Sequence, residues 1–367
     1  MRVEQKYRWF FGVCLLGIAL ASGIYAVKFM IFSLSPLDPA NQEKKILEIR
    51  KNQLPPEITK TLAAIGILHD DESKQFLWLG KVNRQWSKVK AGEYYVSRTM
   101  SPIRIFNVIT SGVSIIHPIT VREGENLFEI AADLEANNLI SRERFLQICQ
   151  SLDFINSLGL KNREVKDITS LEGYLFPDTY FFNRTMTPED IARQMVRRFF
   201  QEWGAVQDKK AGQLGFSRHQ IIILASIIEK ETGSANERPM ISSVFHNRLK
   251  KRMRLQSDPT AIYGMWEQFD GNLRRSDLQA RNAYNTYQIA GLPMGPISNP
   301  GKEAIQAALF PAASDFLFFV SHNDGTHEFT TSLDAHIKAV RKFQLNATER
   351  KNKSWRDLRK RSINLGR

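Results

Sequence analysis

The chain has 367 residues, 43% of them hydrophobic and 24% charged, and a formal net charge of +13. That length holds two or three modules, and the composition belongs to a folded chain, which excludes a wholly disordered protein. Two cysteines, Cys14 and Cys149, exclude a cysteine-based zinc site and argue against a structural disulfide within the chain; the basic surplus asks for a polyanion, whether nucleic acid, anionic lipid or an acidic polymer.

Trp9 to Val27 carries no charge over 19 residues, and Phe29-Met30-Ile31-Phe32 extends the apolar run beyond Lys28. This is enough to span a hydrocarbon core of about 30 Å, with Lys28 able to snorkel. Arg2, Lys6 and Arg8 precede the run, so the positive-inside rule keeps the N-terminus in the cytoplasm and sends everything after about residue 33 outside. Ala19-Leu20-Ala21 would suit signal-peptide cleavage, but the apolar residues continue well past it, which favours an uncleaved single-pass anchor in the cytoplasmic (inner) membrane. An extracytoplasmic body argues against nucleic acid as the polyanion.

Residues 33–42, with Pro36 and Pro39, read as a linker. Beyond it the chain echoes itself: Glu57-Ile58 to Ile67-Leu68 aligns with Glu129-Ile130 to Leu139-Ile140, each copy a short amphipathic helix followed by a second helix starting near Ser73 or Ser141. Ile115 to Val121 is strand-like and Arg122 to Asn126 a turn. Strand, Glu-Gly turn and short helix resemble a LysM-like unit, a module that in its relatives binds N-acetylated glycans; a plain packing module would read the same way. Lys90 to Val96 looks like another strand, and Met100-Ser101-Pro102 a helix start. Leu171 to Phe182 is dense in aromatics and reads as two strand-like runs about a Pro-Asp turn, and Thr187-Pro188 opens a helix running to about Trp203.

The stretch that attracts chemistry is Ile221 to Gly233. Ser217 with Gln220 forms a capping box for a helix that Gly233 is expected to end. Three, four and seven residues before Glu231 lie Ile228, Ile227 and Leu224, so Glu231 continues an apolar stripe, whereas Glu229 shares a face with Ala225 and Ser226. A carboxyl against apolar surface has its pKa raised, as a general acid near neutral pH requires. Further on the polar side chains are mostly amides, hydroxyls and aromatics: Asn247, then Gln256, Asp258 and Thr260, then Tyr263, and Tyr284-Asn285-Thr286-Tyr287 before Gly291-Leu292-Pro293. Such a set suits sugar hydroxyls and acetamides, with rings to cover sugar faces.

Other chemistries fit poorly. There is no P-loop, G-x-G-x-x-G or H-E-x-x-H pattern, and His322, Asp324 and His327 are a weak metal candidate. Ser226 and Lys230 have dyad spacing but lack a nucleophile's strained turn. Phe316 to Val320 and Gly325 to Thr330 read as a hairpin, and Asp334 and His336 on the next helix as surface residues.

In Glu229-Lys230-Glu231-Thr232, Arg254-Leu255-Gln256-Ser257-Asp258-Pro259-Thr260, Tyr284-Asn285-Thr286-Tyr287 and Gly291-Leu292-Pro293, the chain resembles the endolytic murein (peptidoglycan) transglycosylases of the MltG/YceG type. The resemblance runs from the anchor to about residue 345. It implies an α+β fold: an N-terminal transmembrane helix, small LysM-like α/β modules and a mixed α+β catalytic domain. The corresponding partition is 1–8 cytoplasmic, 9–32 anchor, 33–115 linker and first module, 116–165 LysM-like module, 166–345 catalytic domain and 346–367 basic tail. It places the catalytic glutamate on Glu231, with no metal or cofactor, and Glu231-Thr232 is similar to the Glu-Ser step of lysozyme-like lytic transglycosylases.

The implied reaction cuts the N-acetylmuramic acid to N-acetylglucosamine bond within glycan strands. One carboxyl acts as acid and then as base while the sugar's own C6 hydroxyl attacks, leaving an anhydro end. Gln256, Asn285 and Tyr287 are candidates for holding the acetamide and the transition state, and Asn247, Asp258, Thr260, Tyr263, Tyr284 and Thr286 for further substrate contacts. A hydrolytic muramidase would need a second carboxylate, for which Asp258 is available. A non-catalytic wall-binding scaffold is the alternative of a different class. Peptidoglycan and the membrane are the expected partners, with wall synthases as a further candidate, and the tail's Arg350 to Arg361 cluster reads as a solvated helix or a disordered end.

Overall fold

The computed structural model describes residues 2–160 and 168–345; the basic tail lies outside the described residues. The chain divides into two compact units, Met1–Pro118 with Phe181–Thr187, and Ile119–Tyr180 with Pro188–Arg367.

The first unit begins with α1 (Arg2–Leu34), whose Tyr7–Leu34 portion is long and apolar enough to cross a membrane. Its apolar side chains have no protein neighbours along most of its length, with Trp9 at 77% and Leu16 at 64% exposed. Only its last turns join a core: Phe29 meets Trp78 edge-on at 4.4 Å, and Phe29 and Phe32 pack on the cluster that includes Leu62, Phe76 and Phe106. The helix therefore extends through the start of the expected linker.

The body of this unit is β1 (Lys45–Ile49), α2 (Pro55–Ala64), α3 (Asp70–Val82), β2 (Gly92–Val96) and α4 (Pro102–Ser111). β1 and β2 pair antiparallel, from Lys45 opposite Val96 to Ile49 opposite Gly92. Apolar residues alternate inward along both strands, and Leu47, Ile49, Tyr94 and Val96 are buried. Phe76 and Phe106 stack at 4.3 Å in this core.

A similar order recurs, with one more helix between the strands, as β3 (His117–Thr120), α5 (Leu127–Ala136), α6 (Arg142–Cys149), α7 (Leu152–Ser157) and β4 (Thr179–Phe182), with β3 pairing β4. The echo seen in sequence is physical. Ile58 and Leu62 are buried as are Ile130 and Leu134, and Glu57 and Glu129 each accept from the backbone N–H of their helix's N-cap residue. Gly66 and Asn138 both take the left-handed conformation that turns the chain, with φ of 71° and 54°. The second helix of each copy is capped at His69 and Ser141, so the first begins four residues earlier than Ser73 suggests. Only Thr179–Phe182 of the aromatic segment forms a strand; Leu171 to Phe176 makes turns, and the Leu175 N–H donates to the Asn299 side chain.

The rest of the second unit is α8 (Pro188–Glu202), α9 (Ala205–Gln213), α10 (Arg218–Glu231), α11 (Arg238–Lys250), α12 (Asp258–Gly264), α13 (Arg275–Gln279), α14 (Lys302–Leu309), the hairpin β5 (Phe318–Ser321) and β6 (His327–Thr330), and α15 (Leu333–Val340). α10 is the element around which this unit is built. Ser217 caps it, accepting from the Gln220 N–H, and Ile221 to Ile228 are all buried. The small side chains of α14, Ala304, Ala307 and Ala308, allow that helix to lie close against α10. Ser226 is occupied by this packing. Its hydroxyl donates to the Ile223 carbonyl and accepts from the Ile297 N–H, while the Lys230 ammonium donates to the Gly124 carbonyl, so the two form no nucleophilic dyad.

α10 ends at Glu231 because Thr232 turns extended (φ −85°, ψ 116°) while its hydroxyl donates to the Ile228 carbonyl. Gly233 has a different duty from the expected stop. A Cβ there would lie 2.7 Å from the Gly325 carbonyl oxygen, so the residue permits a close backbone approach.

Candidate active site

Glu231 closes α10 at the wall of a cavity of about 390 Å³. Arg248, Gln256, Asp258, Tyr287 and His336 line it too, against an apolar backing of Phe245, Leu255, Phe318, Phe319 and Leu333. Burial alternates from Leu255 to Asp258: Leu255 and Ser257 are buried, Gln256 and Asp258 exposed. Ser257 thereby meets Glu231, its hydroxyl donating to Oε1 over 2.5 Å.

The Glu231 pKa is raised to about 7, chiefly by burial and in smaller part by the neighbouring Asp258 charge, against the opposing pull of the Ser257 hydrogen bond and the Arg248 cation. Glu229, two residues earlier, is also largely screened from solvent, its side chain 7% exposed, but it is fully partnered. Its Oε1 accepts from Arg238 and its Oε2 from the Gly301 N–H. Position on the helix separates the two acids less than their company does.

Ser257 is held from below. Its N–H donates to Thr286 Oγ1, Thr260 Oγ1 donates to its carbonyl, and the two threonine hydroxyls lie 2.8 Å apart. Thr260, Asn285 and Thr286 are wholly buried. The Asn285 amide donates to the Asp277, Leu278 and Ala280 carbonyls, fastening the loop that carries Thr286 and Tyr287. The structure thus places these three beneath the cavity surface. Gln256 and Tyr287 sit at it. Gln256 holds a left-handed backbone (φ 52°), a conformation that costs a non-glycine residue about 1 kcal/mol or more and is concentrated at functional sites. The Tyr287 hydroxyl donates to Asp258 Oδ1 at 2.6 Å.

Three of the sequence candidates lie elsewhere. The Asn247 amide donates to the Ser314 and Phe316 carbonyls and lines a larger cavity of about 800 Å³ with Gly291 to Met294. Tyr263 packs against Tyr284 at 4.8 Å and donates its hydroxyl to Glu172. Glu172 was not singled out from sequence, although an acid inside the apolar run Leu171 to Phe176 is its signal. It is completely buried, accepts from the Leu127 N–H, Tyr263 Oη and the Asn299 amide, and burial pushes its pKa to about 7.

Two cavity residues have no advance signal of this kind. Arg248 spends Nε on the Leu317 carbonyl and Nη1 on those of Leu255 and Arg254, and it lies over the Phe318 ring at 5.2 Å. His336, which reads as a surface residue in sequence, stacks on Phe318 at 5.1 Å because α15 packs on β5. The weak metal candidate dissolves: His327 pairs with Glu237 at 2.8 Å, and among the described residues no group of three or more His, Cys, Asp or Glu could hold an ion.

Fold and site together define an α+β protein, preceded by one long apolar helix, with a desolvated carboxyl, held by a serine hydroxyl, at the wall of a cleft. The chain belongs to the YceG-like family, whose family model matches residues 47–342. It is 35% identical over 279 residues to an endolytic murein transglycosylase of Bacillus subtilis, covering 72% of this chain and 76% of that protein. With the protein of the same description in Streptococcus pneumoniae it shares 25% identity across 89% of its own length and 63% of the relative's. A crystal structure of a YceG-like protein from Listeria monocytogenes superposes with a TM-score of 0.56 at 32% identity, covering 81% of this chain and 99% of that one.

Proposed function

We propose that the protein is a membrane-anchored lytic transglycosylase that cuts peptidoglycan strands internally at the bond from N-acetylmuramic acid to N-acetylglucosamine. Membership of the YceG-like family and relatives named for this activity support the reaction class. The observation that carries the residue assignment is Glu231, a carboxyl with a pKa of about 7 at the wall of a polar cavity.

A carboxyl of that pKa is protonated in about half of the molecules at neutral pH, and in those it gives its proton to the O4 leaving oxygen as the C1–O4 bond breaks. The resulting carboxylate is stabilised by the Ser257 hydroxyl and the nearby Arg248 charge. It then takes the proton of the muramoyl C6 hydroxyl as that oxygen attacks C1. The 1,6-anhydro ring closes and Glu231 regains its starting state without consuming water. Gln256 and Tyr287 face the sugar in this scheme, while Thr260, Asn285 and Thr286 act through Ser257.

Asp258 supports a second reading. It lines the same cavity, and as the partner carboxylate of a hydrolytic muramidase it would activate water. The single-acid scheme fits better, because Asp258 Oδ1 is already engaged by the Tyr287 hydroxyl.

α1 is the single-pass anchor, with Arg2, Lys6 and Arg8 on the cytoplasmic side and both units outside. The paired strand-helix-helix-strand copies act as LysM-like modules that bind or align glycan, and wall synthases are natural neighbours for an enzyme trimming new strands. Incubation of the detergent-solubilised protein with purified murein releases soluble fragments, and Glu231→Gln abolishes the release while the far-UV spectrum is unchanged. Equal release by the variant would remove Glu231 from the chemistry.

A further inference from the structure

On one wall of the Glu231 cavity two groups lie against the Phe318 ring: the Arg248 guanidinium at 5.2 Å from it and the His336 imidazole at 5.1 Å, tilted by 22°. The backbone carbonyls of Leu317, Leu255 and Arg254 take up Nε and Nη1 of Arg248 and fix the plane of the guanidinium. Among the described residues Nη2 has no acceptor, which leaves its two N–H groups for a ligand. On His336 the enclosed ring nitrogen is Nδ1, and it has no hydrogen-bond partner. An enclosed donor without an acceptor is costlier than an enclosed lone pair, so the imidazole proton belongs on Nε2, the nitrogen left to face a ligand. Burial and the Arg248 charge both disfavour the imidazolium, which leaves His336 a neutral donor.

The wall therefore offers a fixed cation edge and a neutral N–H to the same cavity as the acid that cuts. This arrangement suits a carbonyl or carboxylate oxygen better than a sugar hydroxyl. In alternating glycan strands the two sugars differ in one group, the 3-O-lactyl substituent of the muramoyl residue, which ends in a carboxylate or, when a peptide is attached, an amide carbonyl.

We propose that Arg248 and His336, clamped on Phe318, read the lactyl group of the muramoyl residue and so place muramoyl C1, rather than glucosaminyl C1, at Glu231. The proposal rests on the transglycosylase reading above and adds the element that selects which of the two alternating bonds is cut. His336 is a specificity-determining residue, and Arg248 adds that duty to the support its charge gives the Glu231 carboxylate.

The test uses the full-length protein in detergent carrying Glu231→Gln, so that ligands bind without being cut, and calorimetry with two probes of equal length: peptide-free murein oligosaccharide and a chito-oligosaccharide, which lacks lactyl groups. The murein probe binds at least roughly tenfold tighter, as expected for one charge-assisted hydrogen bond. Adding His336→Ala, or separately Arg248→Lys, erases most of that preference and leaves chito-oligosaccharide binding within about twofold. His336→Ala keeps the test decisive if Arg248→Lys disturbs the carbonyls that Arg248 holds. Equal loss for both probes, or no loss for either, overturns the proposal while cleavage of murein by the wild type leaves the transglycosylase reading intact. A wild type that cuts no murein overturns both.

Discussion

Ser257 Oγ donates to Glu231 Oε1 across 2.5 Å, and the serine that does so is itself fixed by Thr286 below it and Thr260 beside it. The bond favours the ionised acid, opposing the burial that favours the protonated one. Ser257→Ala therefore shifts the alkaline limb of the kcat/KM profile, where Glu231 loses its proton, to higher pH. It also removes a positioning contact, and kcat/KM falls by roughly one to two orders of magnitude, the range expected for a lost hydrogen bond to a charged group. A pH series of fragment release measures both.

Asp258 acts on the same carboxyl with the opposite sign, its charge raising the Glu231 pKa. Asp258→Asn removes that charge, so the alkaline limb moves to lower pH. The Tyr287 hydroxyl keeps an oxygen acceptor in the variant, and the cavity is expected to hold its shape. An unmoved limb, read in the same pH series, would show that the two carboxyls do not sense each other.

Glu172 makes a contrasting prediction. Its Oε2 accepts two hydrogen bonds and its Oε1 one, so an amide in its place must turn an NH2 toward a donor. Glu172→Gln is expected to destabilise the second unit by about 1–3 kcal/mol. Activity per folded molecule stays near wild type, because Glu172 is absent from the Glu231 cavity. Denaturant titration alongside fragment release separates the two effects.

Glu231→Gln has a stability signature as well. The native pKa of about 7 lies above the ordinary 4.5, so the folded state keeps a proton that the unfolded chain loses as pH rises. Below about pH 4.5 both states are protonated and the acid costs nothing. The penalty grows to about pH 7 and is complete above it, at up to about 3 kcal/mol. The gain in melting temperature of Glu231→Gln over wild type should thus be small at pH 4 and largest at pH 8, as thermal melts across that range would show.

How far sequence reaches is clear from particular residues. The long apolar run of α1, the capping box at Ser217 and the echo between Ile58-Leu62 and Ile130-Leu134 are local patterns, and local patterns survive folding. The helical-face argument selects Glu231, yet Glu229 turns out almost as sheltered, and the two are separated by Arg238 and Ser257, partners brought in from elsewhere in the chain. Gln256, Asp258 and Tyr287 are legible as polar candidates, and all three line the Glu231 cavity. Thr260, Asn285 and Thr286 carry the same chemistry in sequence, and only tertiary burial shows that they serve the backbone. Arg248 and His336 could not be read in advance as neighbours, because an arginine on one helix and a histidine on another come to line one cavity only through the fold that sets both against Phe318.

The central claim is that one carboxyl does both proton transfers and that no water enters. The direct measurement is mass analysis of the new glycan ends after digestion of purified murein in heavy-oxygen water. The account predicts anhydromuramoyl ends, lighter than reducing ends by one water and free of heavy oxygen, and their loss in Glu231→Gln. Reducing muramic acid ends carrying the heavy oxygen would contradict it and make Asp258 the second carboxylate of a hydrolase.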